Sequence, residues 1–145
     1  MATVPEMRSP TKRSEPFPSL HNLRILVVDD EADTREFLTF MLEKYGATVF
    51  AVASAQAALD AIAAIQPDLL LSDIGMANVD GYELIRQIRA LAPDRGGQTP
   101  AIALTAHASE HDQQLAHSAG FHQHIAKPVE PGILVGAIVA LVKGR

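Results

Sequence analysis

Short apolar segments alternate with segments of helical periodicity from Leu23 onward, and this alternation constrains the fold more than any other feature. The apolar segments have the length and the apolar composition of strands buried on both faces. They are Arg24–Val28, Ala47–Val52, Leu69–Ser72, Ala101–Leu104 and a short segment ending near Lys127. Five such βα units predict an α/β fold with a parallel sheet, helices on both faces and right-handed crossovers.

The predicted helices carry signals at their ends. Ser54 is a candidate cap of the second helix, and Asp80 with Glu83 forms a capping box for the third. The fourth helix is predicted over about Ser109–Ala119 and the last over Ile133–Val142. The second and third helices are therefore delimited by local chemistry as well as by periodicity.

The first 22 residues differ in composition from the rest. They contain Pro5, Pro10, Pro16 and Pro18, scattered charges and no apolar periodicity. Such a segment cannot bury enough apolar surface to offset the entropy lost on ordering. We therefore predict a flexible, Pro-rich leader or linker over residues 1–22 and one folded domain over residues 23–145.

Composition excludes several classes of protein. The formal net charge of −5 and the lack of a basic stripe argue against a nucleic-acid partner, which requires clustered Lys and Arg. The absence of cysteine excludes disulfides, thiolate metal sites and cysteine nucleophiles. Because the sequence has no membrane-length apolar run and no signal-peptide core, we expect a soluble, cytoplasmic protein with no membrane partner.

Acidic residues follow two of the predicted strands. Asp29 and Asp30 come directly after the first strand, and Asp73 comes after the third. In a doubly wound sheet of strand order 2-1-3-4-5, the ligand crevice lies between the carboxyl ends of strands one and three. Three carboxylates in one crevice repel one another, and hard oxygen ligands beside a phosphate favour Mg²⁺. The sequence therefore predicts a magnesium site in which Asp73 can form an aspartyl phosphate.

Two further polar residues end the fourth and fifth strands. Thr105 supplies a hydroxyl donor and Lys127 an ammonium group. A phosphoryl group in transfer spreads negative charge over its equatorial oxygens, so a metal ion, a hydroxyl and an ammonium are the groups that it needs. We therefore predict that Thr105 and Lys127 share one phosphoryl-transfer site with the acids.

These residues lie in segments that resemble a known family. ILVVDDE, LLLSDIGMANVDGYELIRQIR, PAIALTA and AGFHQHIAKP resemble the sequence blocks of response-regulator receiver domains, over about Leu23 to Val142. The resemblance implies a flavodoxin-like (βα)5 fold and a phosphoryl group received from a histidine kinase or a histidine phosphotransfer protein. It also implies slow self-catalysed dephosphorylation, with no dedicated enzyme activity beyond these two reactions.

The resemblance further implies roles for individual residues. Asp73 matches the phosphoacceptor, Asp30 the direct metal ligand, and Asp29 the companion acid that binds the metal mainly through water. The backbone carbonyl of Gly75 matches the third protein ligand of the metal. All four residues would therefore contribute to one Mg²⁺ site.

Thr105 and Lys127 match the family's phosphate-sensing pair, and Lys127–Pro128 matches a peptide that is usually cis. His124 occupies the switch position on the fifth strand, where the family usually has Tyr or Phe. Because an imidazole, unlike a phenyl or phenol ring, changes charge near neutral pH, we predict that switching is sensitive to pH.

Three positions bear on the loops around the site. Gly75 and His107 fall two residues after Asp73 and Thr105, where they border the path of the hydrolytic water, so we expect them to tune dephosphorylation. Ala77 stands where the family commonly has Pro, which predicts a less rigid loop after Asp73.

The last two helices are the candidate output surface. The segment Ser109–Ala119 has few large apolar residues, so we expect a weakly anchored helix that shifts on phosphorylation. The segment Ile133–Val142 is apolar on more than one side, which indicates a helix half covered by the sheet, or a surface for a partner or a homodimer. We expect a downstream protein, which the sequence does not name, to contact helices four and five and strand five.

Several alternatives stay open on the sequence alone. The chain is a stand-alone regulator, as the initiating Met favours, or the receiver segment of a hybrid sensor histidine kinase, which SDIGM and AKPVEP resemble. A metal-dependent aspartyl phosphatase would need Asp-x-Asp after the first strand, where this sequence has Asp-Asp-Glu. A nucleotide-binding module would need a Gly-rich phosphate loop after that strand, and the sequence has none there. The pairs His107/His111 and His122/His124 have spacings that can suit Zn²⁺, but no further ligand is evident nearby.

Overall fold

Five parallel strands form the central sheet of the computed structural model, which describes residues 19–76, 80–106 and 109–143. The strands are β1 (Arg24–Val28), β2 (Thr48–Val52), β3 (Leu69–Asp73), β4 (Ala101–Thr105) and β5 (Gln123–Ala126). They lie in the order β2-β1-β3-β4-β5. The predicted flavodoxin-like fold and its strand order are therefore confirmed.

A helix follows each strand. The helices are α1 (Ala32–Lys44), α2 (Ala55–Ile65), α3 (Gly81–Arg89), α4 (Glu110–Ala119) and α5 (Pro131–Lys143), with a short 3-10 turn at Pro93–Arg95. None of the helices in the described part of the chain is long and apolar enough to cross a membrane.

The predicted caps form as expected. The Ser54 hydroxyl accepts a hydrogen bond of 3.1 Å from the Ala57 N–H, and the Asp80 carboxylate accepts one of 2.9 Å from the Glu83 N–H. Ser109 also caps α4 and so lies just before the helix rather than in it. These bonds satisfy N–H groups that have no partner within a helix.

Two apolar clusters cover the two faces of the sheet. One joins the sheet to α1 and α5, and the other joins it to α2, α3 and α4. All five residues of β3 and of β4 are buried, because helices cover these central strands on both sides. The carboxyl ends of the strands are thereby held at one rigid edge.

The folded domain begins earlier than the predicted boundary between residues 22 and 23. Leu20 is fully buried in the cluster that includes α1 and α5, and its N–H donates a hydrogen bond of 2.8 Å to the Tyr45 carbonyl. Its single apolar side chain lacks the periodicity that marks a strand or helix, and so composition assigned it to the leader. Residues 1–18 lie outside the described residues, and their role as a linker stays a prediction.

Candidate functional site

The polar residues predicted for the site meet at the carboxyl edge of the sheet. Asp73 and Thr105 are the last residues of β3 and β4. Asp29 and Asp30 directly follow β1, and Lys127 directly follows β5. Parallel strands bring these ends to one edge, although the residues span most of the chain.

The three aspartates form a candidate metal centre. Asp29, Asp30 and Asp73 each offer a carboxylate oxygen, and these oxygens all lie within 4.8 Å of one another. Asp29 is fully buried and Asp73 is 6% exposed, whereas Asp30 is exposed. An oxygen-only set with one face open to solvent fits a hard divalent cation that keeps part of its water shell, as Mg²⁺ does. Burial also makes the mutual repulsion of these charges costly without a cation.

Lys127 places its ammonium group between two of these acids. Its Nζ lies 3.0 Å from Asp73 Oδ1 and 3.4 Å from Asp29 Oδ2. Burial lowers the pKa of Lys127, but the hydrogen bond to Asp73 and the two negative charges outweigh burial, so the pKa is raised overall. Lys127 therefore carries a full positive charge at neutral pH.

Asp29 is the acid most strongly affected by burial. Burial raises its pKa, the Glu31 N–H lowers it through a hydrogen bond of 2.9 Å to Oδ1, and the charge of Asp73 raises it again. The attraction of Lys127 lowers this pKa but does not reverse the net rise. Folding therefore disfavours the ionised form of Asp29 when no metal is bound.

Asp29→Asn is therefore expected to stabilise the metal-free protein by about 1 kcal/mol at neutral pH. A carboxyl whose pKa is raised on folding binds protons more readily in the folded state, so the wild type gains stability as the pH falls. The advantage of the variant should shrink between about pH 7 and pH 4. Thermal unfolding in EDTA across this range measures it, and a variant less stable than the wild type at pH 7 would contradict the expectation.

A close backbone approach brings the start of α3 against Asp73 and Ile74. The Gly81 N–H donates a hydrogen bond of 2.9 Å to the Ile74 carbonyl, and a Cβ at Gly81 would lie 2.5 Å from the Asp73 carbonyl oxygen. Residue 81 must therefore be glycine for α3 to begin this close to β3. The sequence DGYELIR shows a glycine directly after a helix cap. That pattern alone does not reveal that the glycine contacts the Asp73 carbonyl.

Gly75 lies beside Asp73. Its N–H donates a long hydrogen bond of 3.4 Å to Asp73 Oδ1, and a Cβ at Gly75 would meet no atom within 4 Å. The open space is consistent with a position that tunes access to Asp73. The role of the Gly75 carbonyl as a metal ligand stays a prediction.

The other predicted site residues lie on β4 and β5. Thr105 is 5% exposed, and its carbonyl accepts a hydrogen bond of 2.8 Å from the Lys127 N–H. The Lys127–Pro128 peptide is cis, as the resemblance implies. His124 is half-buried and lines a cavity of about 240 Å³ between α4 and β5. Thr105 and Lys127 are therefore coupled through the backbone, and His124 lies at the α4 side of β5.

The remaining predicted positions separate into two groups. His107 and Ala77 lie outside the described residues, so their predicted effects are untested. His111 is exposed on α4 and His122 is exposed just before β5. Among the described residues, the aspartates are the one group of three His, Cys, Asp or Glu side chains close enough together to hold a metal ion.

Comparisons with known proteins agree with this geometry. Residues 25–139 match the family model of the response regulator receiver domain. A 14.6 kDa protein of Leptolyngbya boryana is 47% identical over 113 residues, which cover 78% of this chain and 85% of that protein. Hybrid signal transduction histidine kinase D of Dictyostelium discoideum is 35% identical over 145 residues, which cover 96% of this chain and 9% of the kinase. The chain thus spans a small part of some curated relatives.

Solved structures give the same result. The receiver domain of the sensor histidine kinase PA1611 from Pseudomonas aeruginosa, with a magnesium ion coordinated in its active site cleft, is 30% identical with a TM-score of 0.76. The match covers 83% of this chain and 98% of that one. Fold, acidic edge and sequence thus agree, and the chain belongs to the response regulator receiver domains of two-component signalling, with relatives among hybrid histidine kinases.

Proposed function

We propose that this receiver domain accepts a phosphoryl group from a phosphohistidine donor onto Asp73, in a reaction that requires Mg²⁺. The observation that carries the proposal is the position of Asp73, which lies within 4.8 Å of two other carboxylates and 3.0 Å from the Lys127 ammonium. A purely structural acid at a strand end needs neither the carboxylate cluster nor the half-buried counter-charge.

Asp29, Asp30, Asp73 and the Gly75 carbonyl would hold the Mg²⁺, which would neutralise charge on the phosphoryl oxygens during transfer. Within the described residues, both hydrogen bonds to the Asp73 carboxylate go to Oδ1, from Lys127 and from Gly75. Oδ2 accepts neither of these bonds, and we assign the attack on phosphorus to it. The P–O bond to Asp73 forms as the P–N bond to the donor histidine breaks, and the imidazole leaves.

Lys127 and Thr105 act after transfer as well as during it. In the aspartyl phosphate, Asp73 loses its carboxylate charge, so the Lys127 ammonium moves to the phosphoryl oxygens, where charge is now concentrated. Thr105 is the hydroxyl donor to the same group. Because Thr105 ends β4 and Lys127 directly follows β5, their movement is transmitted to α4, β5 and α5, where a downstream protein or a second copy binds. Water then releases the phosphate, at a rate tuned by Gly75 and His107.

Treatment of the wild-type protein with acetyl phosphate and Mg²⁺, followed by mass spectrometry of the modified peptide, tests this proposal. We expect one phosphoryl group, attached at Asp73 and absent in EDTA. Attachment at Asp30 would instead favour a phosphatase with its nucleophile after β1. A wild type that is never modified would contradict the phosphoacceptor role.

His124 is expected to make the response to phosphorylation depend on pH. An imidazole can change charge where the phenyl or phenol ring usual at this position cannot, so the amplitude of the conformational change on α4 and β5 should depend on pH. Amide NMR shifts induced by beryllofluoride, measured between about pH 5.5 and 8, report this change, and His124→Tyr should flatten the profile. A pH-independent response in the wild type would contradict the prediction.

The wider context of the domain belongs to the same proposal. Similarity to receivers of hybrid kinases supports a role as the receiver segment of such a kinase, with the Pro-rich leader as its linker. A stand-alone regulator would use the same chemistry. Both roles place the domain in the cytoplasm, where histidine kinases transfer their phosphoryl groups.

A further inference from the structure

Arg35 contacts the acidic edge although it is not a predicted site residue. It is the fourth residue of α1 and is half-buried, and its Nη1 donates a hydrogen bond of 2.8 Å to the backbone carbonyl of Asp29. The dipole of a helix opposes a positive charge near the helix N-terminus. The electrostatics of the helix therefore do not favour an arginine here.

The hydrogen bond fixes the path of the chain from Asp29 to Asp30. The peptide that joins them is planar, so an anchored carbonyl of Asp29 also sets the direction in which the backbone of Asp30 leaves the strand. Asp30 is exposed and lies beyond Val28, the last residue of β1 in register with β2 and β3. Asp30 therefore lies outside the paired segment of β1.

The other polar atoms of Asp29 are bound as well. Its N–H donates a hydrogen bond of 3.2 Å to the Val52 carbonyl, Oδ1 accepts one of 2.9 Å from the Glu31 N–H, and Oδ2 faces Lys127. Arg35 adds the anchor at the carbonyl, and a hydrogen bond from a charged donor is stronger than one between neutral groups. Every polar atom of Asp29 is thereby fixed before a cation arrives.

We propose that Arg35 is a positioning residue that holds Asp29 and Asp30 in the arrangement that binds Mg²⁺. This inference rests on the proposed magnesium site and adds a residue that does not itself contact the ion. Its loss should weaken the affinity for Mg²⁺ while leaving the phosphoacceptor and Lys127 in place.

Calorimetric titration of the full chain with Mg²⁺ tests the inference. Arg35→Ala is expected to weaken Mg²⁺ binding about tenfold, as removal of a residue that orients a metal ligand commonly does. Arg35→Lys keeps the charge and an N–H donor but not the planar guanidinium, so it should recover part of the affinity for Mg²⁺. This variant also keeps the inference testable if Arg35→Ala does not fold. In the acetyl phosphate reaction, the Mg²⁺ concentration for half-maximal rate should rise, while the rate at saturating Mg²⁺ stays near that of the wild type.

Arg89→Ala is the matched control. The Arg89 guanidinium also donates to backbone carbonyls, those of Gly97 at 3.0 Å and Gly120 at 2.8 Å, but it does so from the end of α3 opposite the site. The Arg89→Ala substitution should lower the thermal stability of the protein without changing its affinity for Mg²⁺. An Arg35→Ala affinity within about twofold of the wild type, or an equal loss in both alanine variants, would overturn the inference. Failure of the wild type to bind Mg²⁺ would instead refute the proposed function.

Discussion

Asp73→Asn is expected to abolish the Mg²⁺-dependent phosphorylation by acetyl phosphate, with a loss of at least about 100-fold in rate. The amide keeps the shape of the side chain but has no negative oxygen to attack phosphorus. Its oxygen can still accept the hydrogen bond from Lys127, so the fold should persist. Phosphorylated protein, separated by phosphate-affinity electrophoresis, measures the effect.

Asp33→Asn provides the control for this experiment. Asp33 is an exposed acid in the first turn of α1, near the site but outside the carboxylate cluster. The control should react like the wild type, which would exclude a general effect of removing one negative charge. Modification of Asp73→Asn to the wild-type extent would place the phosphoacceptor elsewhere.

Lys127→Met is expected to destabilise the metal-free protein by about 2–3 kcal/mol. The substitution keeps the aliphatic stem but leaves Asp29 and Asp73 buried without their counter-charge. One quarter of the Lys127 side chain is exposed, so solvent screening reduces the effect below that of a fully buried pair. Because Mg²⁺ supplies positive charge to the same carboxylates, millimolar Mg²⁺ should restore part of the lost stability.

Urea unfolding in EDTA and in Mg²⁺ measures both effects. Lys44→Met, which removes an exposed lysine at the end of α1, should change the free energy of unfolding by no more than about 0.5 kcal/mol. Equal stability of Lys127→Met and the wild type in EDTA would mean that the ammonium contributes little to holding the acids. Lys127→Met should also accept the phosphoryl group slowly and fail to shift α4 and β5, because the ammonium that would move to the phosphoryl oxygens is absent.

The fold and the acidic edge could be predicted because both depend on local pattern. Buried strands have a recognisable composition, and a parallel topology brings polar residues at strand ends together wherever they occur in the chain. Asp29, Asp30 and Asp73 were therefore grouped correctly without any knowledge of distances.

The contacts that the sequence did not reveal are tertiary. Leu20 is an isolated apolar residue in a Pro-rich segment, and its burial depends on the end of α1. Gly81 is required because α3 approaches the Asp73 carbonyl closely. Arg35 donates a hydrogen bond across the turn to the Asp29 carbonyl. The helical pattern is the same whether or not these contacts form, so periodicity could not identify them.

The ion pair between Lys127 and Asp29 joins residues that lie 98 positions apart in the chain. During synthesis on the ribosome, all three acids emerge well before the edge strand β5 and the lysine that follows it. A nascent chain that has not yet added β5 to the sheet therefore presents the acids without their ammonium partner. We expect phosphoryl transfer to reach its full rate only when the last strand has docked, so that unfinished copies of the domain draw few phosphoryl groups from the donor.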